Sequence, residues 1–340
     1  MSNRKIAVIA GDGIGKEVMP EGIRAVEAAC SKFGISLDWT ELPWDCSNYA
    51  STGRIMPEDG IEQLSGYDAI FLGAVGWPGA VTESGDLAGG AVILGLRSGL
   101  DLYANVRPIR LYEGVQHKIH GEFTQVWKPG MVDMIIIREN TEGLYHSLLR
   151  RSADKAQGRE TWEPSAMDFP GLEGEVAWDP RPISRSGSER VIRFAYETAQ
   201  RRNGAPGDGK TRVTCVDKSN VTRGCQLFNQ IYHEIAENYP DTETDHAYID
   251  AFCMWAVRNP EWFDVVVTPN MFGDISTDLA SVLQGGMGIA ASANLGDKHG
   301  MFEPVHGSAP KYTGKNVVNP IATLQSVQMM FEALAYRKKD

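Results

Sequence analysis

The 340-residue chain lacks any apolar run long enough to cross a bilayer, which takes about 20 residues. Cysteine is scarce and odd in number. Cys30, Cys46, Cys215, Cys225 and Cys253 are irregularly spaced, which excludes a disulfide framework and a CxxC zinc pattern. Positive charge is also short: 33 Lys and Arg stand against 44 Asp and Glu, a net charge of -11. Nucleic-acid binding needs clustered basic side chains to meet phosphates, so that class is excluded. An acidic protein still binds an acidic small molecule where a few arginines converge. The opening MSNRKIAVIAGDGIG holds an apolar run too short for a signal peptide. No membrane association and a cytoplasmic location are the expectation, and no internal repeat is present.

What is present is an alternation. Residues 5–10 read as a buried strand, GDGIG as a turn, and residues 17–33 as a helix. Residues 68–72 and 263–268 read as further buried strands. Strands separated by helices predict an α/β fold, its sheet largely parallel and covered on both faces. Residues 150–185 break the pattern with four prolines, several glycines, Trp162 and Trp178. Two readings stand side by side: an irregular surface excursion, or an arm that buries its tryptophans on a partner subunit. The loop NGAPGDGK (203–210) reads as a solvated connection.

Several residues carry chemistry. Gly11–Gly15 sits where a dinucleotide loop would, yet GxGxxG needs a glycine where Lys16 stands, and no acid is evident at the end of a second strand. A tight turn without phosphate duty fits better. Arg97, Arg107 and Arg138 each lie beside apolar segments, where an unpaired guanidinium is costly. Together they would clamp carboxylates; singly each would be a structural ion pair. Asp274 and Asp278 in NMFGDISTD fall one helical turn apart, and Asp250 lies in the apolar YIDAFCMW. Three carboxylates suit Mg2+ or Mn2+, whereas an isolated DxxxD is more simply a cap and a solvated acid. Lys218 follows a buried strand, where burial or neighbouring charge would lower its pKa enough for a base. Tyr145 is a candidate proton donor. The stretch 302–320, FEPVHGSAPKYTGKNVVNP, is a loop rich in backbone N–H groups.

In chain order, GDGIGKEV, LYANVRP, RENTEGLY, DKSNV, NMFGDISTD and EPVHGSAP resemble the motifs of the isocitrate/isopropylmalate/tartrate dehydrogenase family. The resemblance spans nearly the whole chain. GDGIGKEVMPEGIR and YDAIFLGAVGWP are most similar to the D-malate and tartrate branch. It implies a metal-dependent oxidative decarboxylation of a malate-type 2-hydroxy acid by NAD(P). Arg97, Arg107 and Arg138 would hold substrate carboxylates, and Asp250, Asp274 and Asp278 the metal. Lys218 would take the hydroxyl proton and Tyr145 would protonate the enolate carbon. In the family the counterparts of Lys218 and Asp250 enter the site from the second subunit, so a homodimer is implied.

The same resemblance places the cofactor on Asn220 and on Glu303, His306, Gly307, Ser308, Ala309, Lys311, Tyr312, Val318 and Asn319, not on a Rossmann site. Lys311, Tyr312 and Val318 match NADP-using members; NAD users carry an acid at position 311. The expected cofactor is NADP, with NAD the alternative. Ile93 and Leu94 stand where a third carboxylate would need polar partners. They favour D-malate, tartrate or a 3-alkylmalate over isocitrate. Residues 1–100 and 254–340 would form the larger, cofactor-binding domain, residues 101–253 the smaller dimerising one, with the site in the cleft. Family members also continue beyond the position of Asp340, which leaves truncation of the C-terminus an open reading. The rivals are a non-catalytic regulatory subunit of the same fold, and a hydride-transfer enzyme that does not decarboxylate.

Overall fold

The structure, a computed structural model, describes residues 4–82, 87–145 and 179–336. Ten strands form one sheet. Across it they run β2 (Leu37–Glu41), β1 (Arg4–Gly11), β3 (Ala69–Ala74), β12 (Gly300–Pro304), β11 (Ala291–Leu295), β4 (Ala104–Arg110), β7 (Asp133–Glu139), β10 (Val265–Thr268), β8 (Arg212–Asp217) and β9 (Glu243–Tyr248). A small hairpin, β5 (His117–Ile119) with β6 (Glu122–Thr124), stands apart from it.

The expected parallel pairing holds on both flanks and fails in the middle. There β12 pairs with β11, β11 with β4, and β4 with β7, all antiparallel. For β11 and β12 the reason is connection length, since the four residues that join them are too few for a parallel crossover; the link from β4 to β7 is longer but holds the hairpin β5–β6 and no crossover helix. Strand β10, which follows residue 254, lies between β7 and β8.

Alternation along the strands sends side chains to two covered faces. From β10, Val265 and Val267 meet Tyr196, Phe228 and Tyr232 of the helices Arg185–Ala199 and Arg223–Ala236. Val266 faces the other way, onto Phe252, Ala280 and Leu283. At the other flank Phe71 of β3 packs against helices Gly15–Phe33 and Ile321–Tyr336, while Ile70 and Leu72 face Leu96 and Leu100. The loop 203–210 is less solvated than expected: Ala205 is buried, Gly207 N–H bonds the Glu261 carbonyl, and Asp208 pairs with the buried Arg212. Most of residues 150–185 lies outside the described residues. Among the described residues no helix is long and apolar enough to cross a membrane.

Phe71 is fully buried, with Gly22 of the first helix close against its ring. Phe71→Ala should cost about 3–5 kcal/mol of unfolding free energy, read by denaturant titration. A loss below about 1 kcal/mol would contradict the packing described for this flank.

Candidate active site

The arginines converge at the centre of the sheet. Arg138 ends β7 beside Thr268 of β10 and opposite Asn105 of β4. Helix Asn270–Ser281 begins two residues after β10. It lies directly on Arg138 because residue 273 is glycine: a Cβ there would fall 2.6 Å from Arg138 Cβ and Cγ. Its near face carries Asn270, Asp274, Thr277 and Asp278. Arg138 donates to Asn270 Oδ1 through Nε (2.9 Å) and Nη2 (2.7 Å), and to Asp274 through Nη1. Arg107, on β4, donates to Asn105 Oδ1 (2.9 Å) and Thr277 Oγ1 (2.6 Å), with Asp278 at 3.5 Å. Arg97, from helix Ala88–Gly99, meets Glu303 of β12 at 3.1 Å, and its buried Nε has no partner among the described residues.

Three guanidinium groups crowd one buried region. Burial, then the charge of Arg97, pushes the pKa values of Arg107 and Arg138 down, against the pull of Asp274. Burial would raise Asp274, but Arg138, the Tyr145 hydrogen bond and Arg107 more than offset it and hold the carboxyl below its usual range. Asp278 goes the other way: burial raises it, and Arg107 only partly compensates. Tyr145 donates to Asp274 Oδ2 at 2.7 Å; burial, then that bond, lifts the phenol above its ordinary value. Asp274 and Asp278 are hard oxygen donors one turn apart on a half-open face, a fit for Mg2+ or Mn2+ with substrate and water oxygens filling the remaining positions.

Lys218 and Asp250 stand elsewhere. They follow β8 and β9 at one edge of the sheet and pair with each other at 2.5 Å, beside the Tyr248 ring. Within one chain Asp250 does not join Asp274 and Asp278; among the described residues no group of three His, Cys, Asp or Glu could hold a metal ion. Asn220 lies exposed in the same turn as Lys218, far across the strand order from β12. Ile93 and Leu94 are half-buried one turn before Arg97 on its helix.

The stretch 302–320 is only partly loop, since Glu303 is buried within β12 and accepts from Asn294 (2.8 Å) as well as Arg97. His306 keeps Nε2 buried without a partner among the described residues, and burial lowers its pKa. A Cβ on Gly307 would meet only open space. Lys311 lies over the Tyr312 ring at 4.8 Å, both exposed. Val318 is half-buried, and Asn319 Oδ1 accepts from Ile321 N–H at the start of the last helix. Backbone donors, an orphaned imidazole nitrogen and an exposed cation suit a dinucleotide.

The glycine turn serves this loop. Asp12 N–H bonds the Ala74 carbonyl, Ile14 N–H the Ser308 carbonyl, and a Cβ on Gly13 (φ 56°) would fall 2.1 Å from that same oxygen. Strand β2 does end in an acid, Glu41, which the sequence pattern did not reveal. Residue 308 nevertheless closes the turn over Gly13, while a cavity lined by Asp12, Lys16, Glu17 and Gly314 opens beside it. Sequence reasoning also missed Asn105, Asn270, Thr277 and Asn294. Asn270 and Thr277 fall on one helical face with Asp274 and Asp278, and that spacing was the available signal. Nothing local marks Asn105 or Asn294.

Comparison with known proteins gives the family. A family model described as isocitrate/isopropylmalate dehydrogenase matches residues 5–339. The chain is 40% identical over 338 residues to the D-malate dehydrogenase [decarboxylating] of Escherichia coli, covering 98% of this chain and 86% of that protein. It is 39% identical over 336 residues to the tartrate dehydrogenase/decarboxylase of Pseudomonas putida (97% and 84%), and 39% over 339 residues to the 3-isopropylmalate dehydrogenase of Thermobifida fusca (98% and 86%). The crystal structure of isocitrate dehydrogenase from Methylococcus capsulatus superposes with a TM-score of 0.79 at 33% identity, covering 98% of this chain and 87% of that one. The family match and these relatives make the chain an oxidoreductase of the decarboxylating dehydrogenase class. The chain belongs to the isocitrate/isopropylmalate dehydrogenase family.

Gly273→Ala should force the Asn270–Ser281 helix off Arg138 and lower kcat/KM at least tenfold, about 1.4 kcal/mol of transition-state stabilisation. Steady-state kinetics check it, and unchanged kcat/KM would show that the close approach is dispensable.

Proposed function

We propose that the protein oxidises and decarboxylates a (2R)-malate-type acid, such as D-malate, tartrate or a 3-alkylmalate, using NADP and Mg2+ or Mn2+. The observation that carries this reading is the buried trio Arg97, Arg107 and Arg138: three guanidinium groups in one region, with the pKa values of Arg107 and Arg138 pushed down by burial first and by the charge of Arg97 second. A dicarboxylate bound there would relieve that repulsion and occupy the orphaned Arg97 Nε. Ile93 and Leu94 offer a third carboxylate no partner, which argues against isocitrate. Lys311 pairs with no carboxylate among the described residues, and with Tyr312 it suits a 2′-phosphate; NAD is the alternative.

When bound, the dinucleotide would supply a hydride acceptor and the divalent cation would supply Lewis acidity. Asp274 and Asp278, with Asp250 of a second copy, would hold that cation. The arginines would fix the acid's carboxylates, and Lys218 of the second copy, as the neutral amine once Asp250 turns to the cation, would take the hydroxyl proton as the hydride departs. After CO2 leaves, Tyr145 returns a proton to carbon. Like any phenol with a pKa of 10 or above, Tyr145 holds its proton at neutral pH and has one to give.

A homodimer is part of the reading. Val221, Tyr248, Met254, Trp255 and Val257 are exposed around the Lys218–Asp250 pair, an apolar surface that a second copy would cover. The pair would then reach the partner's arginines.

Cofactor reduction should be measured with Mn2+ across D-malate, tartrate, 3-isopropylmalate and isocitrate, each with NAD+ and NADP+. One acid of the first three should turn over strongly, and chelator should abolish the rate. Turnover of isocitrate alone would refute the substrate argument. Lys218→Met should abolish turnover with acid binding intact, and so should Arg107→Met through lost binding. Refolding the two variants together should recover activity that neither has alone; no recovery would contradict a site shared between subunits.

A further inference from the structure

The loop proposed to bind the dinucleotide is held in an unfavourable conformation. Ala309 and Asn316 adopt left-handed backbone angles (φ 42° and 51°), as does Gly314 (φ 76°). Residues 311–317 are exposed, so packing does not hold them. Such a conformation persists only where the surroundings fix it. Two attachments do so. On the near limb, the Ser308 carbonyl accepts from Ile14 N–H at 2.9 Å. On the far limb, the Glu17 carboxylate spans two backbone donors: Oε1 accepts from Gly314 N–H at 2.6 Å and Oε2 from Asn316 N–H at 2.9 Å. Lys311 and Tyr312 lie between these points. The remaining backbone bonds here, Tyr312 N–H to Ala309, Thr313 N–H to Pro310 and Lys315 N–H to Tyr312, are internal to the loop and cannot fix it to the body.

We infer that Glu17 is a positioning residue for the dinucleotide: it fixes the 309–316 segment through the 314 and 316 amides and so sets where Lys311 and Tyr312 meet the ribose-phosphate. This rests on the reading of that loop as the cofactor site. It also gives the GDGIGKE motif a task. Its glycine turn grips one limb of the loop and its glutamate, one helical turn on, grips the other. A glutamate in the first turn of a helix ordinarily serves the helix dipole. Here both carboxylate oxygens are engaged by a segment nearly 300 positions away in the chain.

The test is equilibrium binding of NADP+ and NAD+ to the wild type, Glu17→Gln and Glu17→Ala, with melting temperature measured for each. Acid binding in the presence of Mn2+ is titrated alongside, and kinetics are recorded at saturating dinucleotide. A carboxylate bonded to two amides predicts a Kd for dinucleotide raised about tenfold in Glu17→Ala. Glu17→Gln, which keeps one acceptor, should be intermediate. Acid affinity and kcat at saturating dinucleotide should stay within about twofold of wild type. Ordinary dinucleotide binding by the wild type with the same Kd in Glu17→Ala overturns this inference alone. An equal loss of acid and dinucleotide affinity with a lowered melting temperature makes Glu17 merely structural and overturns it too. Absence of dinucleotide binding by the wild type overturns the loop assignment, and this inference with it.

Discussion

The arrangement turns on placing three guanidinium groups together out of water. A buried arginine without acceptors is costly, and three near one another add mutual repulsion. Arg97, Arg107 and Arg138 are supplied by a helix and two adjacent antiparallel strands, and their acceptors come from still other parts of the chain. Asn270, Asp274, Thr277 and Asp278 arrive on the helix after β10, Glu303 on β12, and Asn105 beside Arg107 on β4 itself. Satisfying all of them requires β4, β7 and β10 to be neighbours, with β12 close by. The reversal of direction in mid-sheet brings this about. Had β4 run parallel to β7, the pairing that sets Asn105 against Arg138 would be lost.

Behind the arginines runs a second layer that holds no charge. Asn105 donates to Ser292 and Asn294 (2.8 Å each), and Asn140 donates to Asn294 (3.0 Å), which in turn donates to Glu303. These amides are fully or almost fully buried. Amide groups can both give and take hydrogen bonds, so they pass on the orientation of Glu303 and Arg107 without adding charge to a region already rich in it. This explains why neutral residues, rather than further acids, support the arginines.

Much of this was legible in the sequence, in a particular way. Alternating apolar runs disclosed β1, β3 and β10 to within a few residues, because burial on both faces leaves a continuous hydrophobic signature. Arg97, Arg107, Arg138, Asp274 and Asp278 stood out because charge beside apolar segments demands a partner. Strand direction was not legible, because an apolar run reads the same in a parallel or an antiparallel neighbour. The buried amides were invisible because asparagine is as common in turns as in a core network. Glu17 was invisible for another reason. Its local context, the first turn of a helix, already explains an acid there, so no residue nearby signals its distant partners.

The separation of Lys218 and Asp250 from the arginines has a simple origin in the sheet. β7, β10, β8 and β9 are parallel, so the turns after them emerge on one side, where ligands of parallel sheets bind. Strand β9 is the last in that order, so whatever follows it faces outward from the edge. Lys218 and Asp250 neutralise each other there at 2.5 Å, and Asp250 is held below its usual pKa by that contact. An exposed ion pair of this kind adds little to stability. Its apolar surroundings, Met254, Trp255 and Val257 on the same helix as Asp250, are costly to leave in water. A weak pair set within an apolar surface is poorly explained by the stability of one chain. Both features fit a surface shaped for a second copy, on which the lysine can exchange its carboxylate partner for a substrate hydroxyl. On the proposed dimer, the arginines of one chain bind the acid and the edge of the other completes the chemistry, so catalysis follows assembly.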